Sequence, residues 1–129
     1  MERLLTGRDR RLLERFLSAD AAETMFLRSN MSTGSITEHP EGHYDGAYVG
    51  SFSGGLLVGV VCHTGNGMLL GHGDELAKAT NVAVKTTGGE VRGVTADFAS
   101  ATAMLESLKL GNTAPVFDSV EVLYELPLA

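Results

Sequence analysis

The chain has 129 residues, 43% of them hydrophobic and 20% charged, which suits one domain with its own core and argues against a disordered tail. Sixteen acids against ten bases give a net charge of −6 and disfavour duplex nucleic acid as a partner, because affinity there comes from Lys and Arg neutralising phosphates. No run approaches the ~18 apolar residues of a membrane span, Arg8-Asp9-Arg10-Arg11 interrupts any secretory leader, and the one Cys cannot close an internal disulfide; a cytoplasmic single domain over 1–129 is expected.

Arg3-Leu4-Leu5 reads as a short edge strand. Thr6 follows as a helix N-cap, with Asp9 three residues on, where an acid favours the helix dipole. Leu12, Leu13, Phe16 and Leu17 then form one apolar stripe, with Arg11, Glu14 and Arg15 outside it. A second helix is predicted over Ala22 to Met31, burying Met25 and Phe26, with Phe16, Phe26 and Phe98 all assigned to the core. Ser35 to Asp45 carries Pro40, Gly42, two His and three acids, and reads as a long loop.

From Gly46 the period becomes two. Tyr48, Gly50 and Phe52 share one face, and Ala47, Val49 and Ser51 the other. Ser53-Gly54-Gly55 signals a hairpin, and Leu56 to His63, apolar on both faces, a central strand. Gly65-Asn66-Gly67 turns the chain into Met68-Leu69-Leu70, completing an antiparallel meander. Gly71-His72-Gly73 reads as a turn into a third helix that starts near Asp74, with Leu76, Ala79, Ala83 and Val84 inward and Gly88-Gly89 after it. Val91 to Val94 is a short strand; Thr95 or Asp97 caps a fourth helix with Phe98, Ala101, Leu105 and Leu108 inward, ended by Gly111. The last segment alternates, with Val120, Val122, Tyr124 and Leu126 inward. The order β-α-α-β-β-β-α-β-α-β predicts an α/β fold: a mixed sheet flanked by helices on both faces.

That order resembles the GCN5-related N-acetyltransferase (GNAT) superfamily, and more narrowly the divergent N-terminal GNAT-like half of bacterial two-domain acetyltransferases. The resemblance is carried by Met25-Phe26-Leu27-Arg28-Ser29-Asn30-Met31, by Gly46 to Phe52 with Leu57-Val58-Gly59-Val60, by Val91-Arg92-Gly93-Val94, and by Asp118 to Leu126. It implies a GNAT-like mixed sheet, acetyl-CoA as the family's cofactor, and a partner that is either a C-terminal GNAT domain in cis or a second copy in trans. It also implies that 1–129 is the N-terminal half of a longer tandem protein; the alternative is a stand-alone binding, regulatory or dimerisation module with a degenerate GNAT fold.

Active members of the superfamily hold the coenzyme's pyrophosphate in a Gln/Arg-x-x-Gly-x-Gly/Ala turn at a helix N-terminus, where free amides and the positive dipole end meet the phosphates. Here there is no Gln, and no Arg is followed three positions later by Gly. The corresponding place holds Gly71, His72 and Gly73, the candidate cofactor-binding residues, followed by Asp74 and Glu75 in the expected first helical turn. Carboxylates there satisfy the amides themselves and repel a diphosphate. The chain alone is therefore expected neither to bind acetyl-CoA nor to acetylate. Tyr124 is the candidate acid near the departing thiol, weighed against core packing.

Other chemistry is sparse. Cys62 and His63 are adjacent on one strand and point to opposite faces, so they do not share an ion. Cys62 reads as core, and His63 as buried and hydrogen-bonded or at the sheet rim. His39, His43 and Asp45 match no rigid ligand spacing, and no metal site is expected. Gly50-Ser51-Phe52-Ser53-Gly54 places its serines in a hairpin, not at a strand-to-helix elbow.

Overall fold

The computed structural model describes residues 1–108. Thr6 ends the first strand, β1 (Glu2–Leu4), through a reciprocal cap: its hydroxyl accepts from the Arg8 amide at 3.2 Å, and the Asp9 carboxylate accepts from the Thr6 amide at 2.8 Å. A single 3-10 turn (Gly7–Asp9) leads into α1 (Arg10–Ser18), which buries Leu13 and Leu17 with Phe16 beside them. Arg3 donates to both Asp9 oxygens, and its guanidinium holds the Asp9 carboxyl below the usual range.

The second helix, α2 (Met25–Thr33), starts three residues later than its sequence suggests and presents a different face. Leu27 and Met31, four residues apart, are buried, whereas Met25 is 56% and Phe26 36% exposed. The cause lies in the turn before it. Thr24 is buried, donates its hydroxyl to the Leu17 carbonyl at 2.7 Å, and receives the Arg28 Nε at 3.3 Å. Arg28 also donates to the Ala21 carbonyl at 2.6 Å, so residues 20–24 form a turn and the rotation of α2 is set by Thr24.

The period-two segment folds as read. β2 (Gly46–Ser53), β3 (Leu56–Thr64) and β4 (Met68–Gly73) form an antiparallel meander, with β1 on its outer edge. After α3 (Leu76–Thr87), β5 (Gly93–Thr95) returns parallel to β4, pairing Met68 with Gly93 and Leu70 with Thr95. Among the described residues the result is α/β: a five-stranded mixed sheet in the order β1-β2-β3-β4-β5, with four α-helices, the fourth being α4 (Phe98–Ser107). β5 starts two residues later and ends one residue later than expected; the Arg92 amide before it donates to the Gly67 carbonyl at 2.7 Å.

Alternation divides the core between the two faces. Tyr48, Val60, Cys62 and Leu70 pack under α1 and α2 with Leu13, Leu17, Leu27 and Met31. Val49, Val61, Leu69 and Val94 pack under α3 and α4 with Leu76, Ala79, Ala83, Ala101, Met104 and Leu105. Phe98, expected inward, is 61% exposed: it follows the cap residue Asp97, and the helix turns Ala101, Met104 and Leu105 to the sheet instead. Gly88 ends α3 in the left-handed conformation, donating its amide to Val84. Gly111, the final strand and Tyr124 lie outside the described residues.

The turn from β4 to α3 is pressed onto β3. The Asp74 amide donates to the Val58 carbonyl at 2.8 Å, and a Cβ on Gly59 would overlap the Asp74 carbonyl oxygen. Gly59→Ala is expected to lower stability by about 2 kcal/mol in urea denaturation, because backbone must shift to admit the methyl. Gly7→Ala, where nothing lies within 4 Å, serves as the near-neutral control.

Candidate functional site

β4 and β5 pair only as far as Leu70 and Thr95. Beyond that point β4 continues as Gly71-His72-Gly73 along β3, while β5 leaves the sheet through Ala96 and Asp97. Asp97 forces the departure: its carboxylate accepts from the Ser100 amide at 2.9 Å and caps α4. Two parallel strands thus diverge at their carboxyl ends, the place where open α/β sheets generally present ligand sites.

The fork opens under α2 as a cavity of about 490 Å³. Met25, Phe26 and Leu70 supply apolar lining, and Glu23, His72 and Asp97 supply its titratable groups. Thr95 lines the same cavity at 9% exposure, and its hydroxyl has no hydrogen-bond partner among the described residues. Met25 and Phe26, expected in the core, thus border this space instead.

Gly71, His72 and Gly73 are corrected from a turn to the end of a strand. Gly71 is in extended pairing with Val61, where a Cβ would crowd the end of the Met104 side chain, and of the three only Gly73 takes a positive φ, +100°. Gly71 and His72 line the fork; Gly73 abuts the Val58 carbonyl. The His72 ring packs against Phe16 with centroids 5.8 Å apart, and its Nε2 lies 2.8 Å from Asp20 Oδ2. Glu23 joins them: potential ligand atoms of Asp20, Glu23 and His72 all lie within 4.8 Å of one another. No local spacing announces this group, since 52 residues separate His72 from Asp20.

The α3 entrance also departs from expectation. Asp74 and Glu75 precede the helix rather than forming its first turn, and neither carboxylate caps it. Glu75 has φ +56°, a costly conformation for a residue with a side chain, held in place by Ser51, whose hydroxyl donates to the Glu75 carbonyl at 2.7 Å. The two exposed acids bring charge to the entrance without satisfying its amides.

The remaining candidates are structural. Cys62 is fully buried beside Tyr48, and burial pushes its thiol up to about 12. Asp45 orders its loop by accepting from the Ser35 and Gly42 amides at 2.9 and 3.0 Å, and these bonds lower its pKa. His43 Nδ1 meets Asn66 Nδ2 at 3.3 Å. His63 is 1% exposed; its Nε2 lies 2.8 Å from the Glu90 carbonyl and its Nδ1 2.7 Å from the Thr87 hydroxyl. Because a carbonyl only accepts, the proton is assigned to Nε2, and Nδ1 accepts from Thr87.

Comparison with protein-family models, with curated proteins and with solved structures finds no match. Among the described residues, no helix is long and apolar enough to cross a membrane.

Burial depresses the His63 pKa because the charged ring loses its hydration. The unfolded chain therefore binds this proton more readily than the folded one. The His63 contribution to stability is complete above the unfolded value of about 6.5 and is lost as pH falls toward the folded value. Urea midpoints measured at descending pH are expected to drop in that window, and the drop should be smaller in His63→Gln.

Proposed function

We propose that this chain is a GNAT-like domain that has kept the superfamily's sheet without its coenzyme site, and that it serves as the non-catalytic half of an acetyl-CoA-dependent N-acetyltransferase. Its partner would be a complete GNAT domain, in cis or in trans. One observation carries the reading: an antiparallel meander crosses through α3 to a parallel β5, and two acids stand at the α3 entrance where the superfamily has a phosphate loop. In that position the acids act by charge alone. At ~4 Å each carboxylate opposes a phosphate charge by about 1 kcal/mol even in water, and more in a partly desolvated turn. The Gln or Arg that would offset this is missing from the segment, and the free amides of α3 face that repulsion without help.

A second reading, a ligand-binding module that acts without a catalytic partner, is favoured by the fork cavity, whose Thr95 hydroxyl is buried without a partner among the described residues. Calorimetry with acetyl-CoA tests the loss of the coenzyme site on which the first reading stands. The isolated chain is expected to give no binding heat at ~100 μM coenzyme, the range in which an active domain would saturate. Asp74→Asn with Glu75→Gln is expected to permit only weak binding, through relief of repulsion. Micromolar affinity in the unmodified chain, abolished by substitution at Gly71 or Gly73, would overturn the non-catalytic assignment.

A further inference from the structure

We propose that Asp20, Glu23 and His72 form a binding site for a divalent transition-metal ion of the Zn²⁺ type at the mouth of the fork cavity. This inference is independent of the acetyltransferase reading, since it uses neither the coenzyme nor the α3 entrance.

Geometry comes first. The ligand atoms lie within 4.8 Å of one another, with His72 Nε2 and Asp20 Oδ2 2.8 Å apart. An ion bound at about 2.1 Å to each places neighbouring donors roughly 3.0 to 3.4 Å apart, for octahedral or tetrahedral angles. Closing on an ion therefore takes rotation of the two exposed carboxylates and release to solvent of the Nε2 proton that His72 now donates to Asp20.

The supports are rigid. His72 stands on a paired strand with its side chain 12% exposed and its ring against Phe16. Asp20 and Glu23 belong to the turn that Thr24 and Arg28 fix through the Leu17 and Ala21 carbonyls. Arg28, on α2, reaches back to that turn, and its guanidinium is engaged by the Ala21 carbonyl and the Thr24 hydroxyl rather than by either carboxylate. Asp97 on the cavity lining adds a further negative charge. Among the described residues neither carboxylate meets a Lys or Arg, and the one partner of Asp20 is the His72 ring nitrogen that an ion would take over.

The donor set selects its kind. One imidazole nitrogen and two carboxylates suit Zn²⁺, Co²⁺ or Mn²⁺, whereas Ca²⁺ and Mg²⁺ favour all-oxygen sites. Three protein ligands leave a coordination position open. Glu23 and His72 both line the cavity, and Thr95 provides a separate sign that the cavity takes a ligand: a hydroxyl buried in the same wall without a partner among the described residues.

Zn²⁺ and Co²⁺, added alone to the chelator-treated full chain, supply the test. Calorimetry is expected to find one Zn²⁺ per chain, and Co²⁺ to give visible absorption bands that Zn²⁺ displaces. Glu23→Gln, at an exposed position with no side-chain hydrogen bond among the described residues, should keep the fold and weaken binding roughly tenfold or more. Asp20→Asn should behave alike, and His72→Ala should abolish the Co²⁺ bands, with folding checked by circular dichroism. His39→Ala with His43→Ala should leave binding intact. No binding at ~1 mM Zn²⁺, more than ten times weaker than such a site requires, would overturn the proposal. So would binding lost with the loop histidines, or binding indifferent to Glu23, Asp20 and His72.

Discussion

The close approach of the β4–α3 turn to β3 governs much of this fold. Gly59 leaves space for the Asp74 carbonyl, Val58 accepts the Asp74 amide, and Ser51 reaches from β2 to the Glu75 carbonyl. Three contacts from two neighbouring strands hold Glu75 in a left-handed conformation that an isolated chain would avoid. That bend sends α3 back across the sheet, so that Leu76 drops directly onto the core. The crossover then has only one face on which to lie, and β5 arrives parallel to β4.

From this follows the division of the molecule. α3 and α4 seal one face with small residues, Ala79, Ala83 and Ala101, which let helices approach the sheet closely. α1 and α2 cover the other face with Leu and Met, but α2 is rotated by its Thr24 anchor and leaves Met25 and Phe26 beside the fork. The cavity therefore results from two constraints: Asp97 drawing β5 out of the sheet, and Thr24 setting the angle of α2. Neither is a residue of obvious chemistry.

Much of the architecture was legible from local pattern. The meander followed from period-two alternation with Gly-Gly and Asn-Gly turns, and the start of α1 from Thr6 and Asp9. Cys62 is in the core as its apolar strand predicts, and of the two places open to His63, buried and hydrogen-bonded or at the sheet rim, the structure shows the first. Gly71-His72-Gly73 misled because two glycines around a polar residue resemble a turn. Here the first glycine answers to Met104 pressing from α4, a contact 33 positions away that no local spacing encodes. The same limit hid the Asp20, Glu23 and His72 cluster, which exists only because β4 passes the end of α1. The α2 face was misread because a helix with Met25, Phe26, Leu27 and Met31 offers several apolar stripes, and the choice among them belongs to a hydroxyl outside the helix.

The lone thiol has a practical meaning. Cys62 sits near the end of the central strand with paired neighbours on either side, Tyr48 on β2 and Leu70 on β4, and no solvent reaches its sulfur. A disulfide-exchange reagent can meet it only when α1 and α2 lift from that face or the strands separate, so modification reports opening of this core rather than fraying at the β1 edge. The protein thereby carries an internal clock for its own unfolding, with one reactive group per chain and no need for an introduced label.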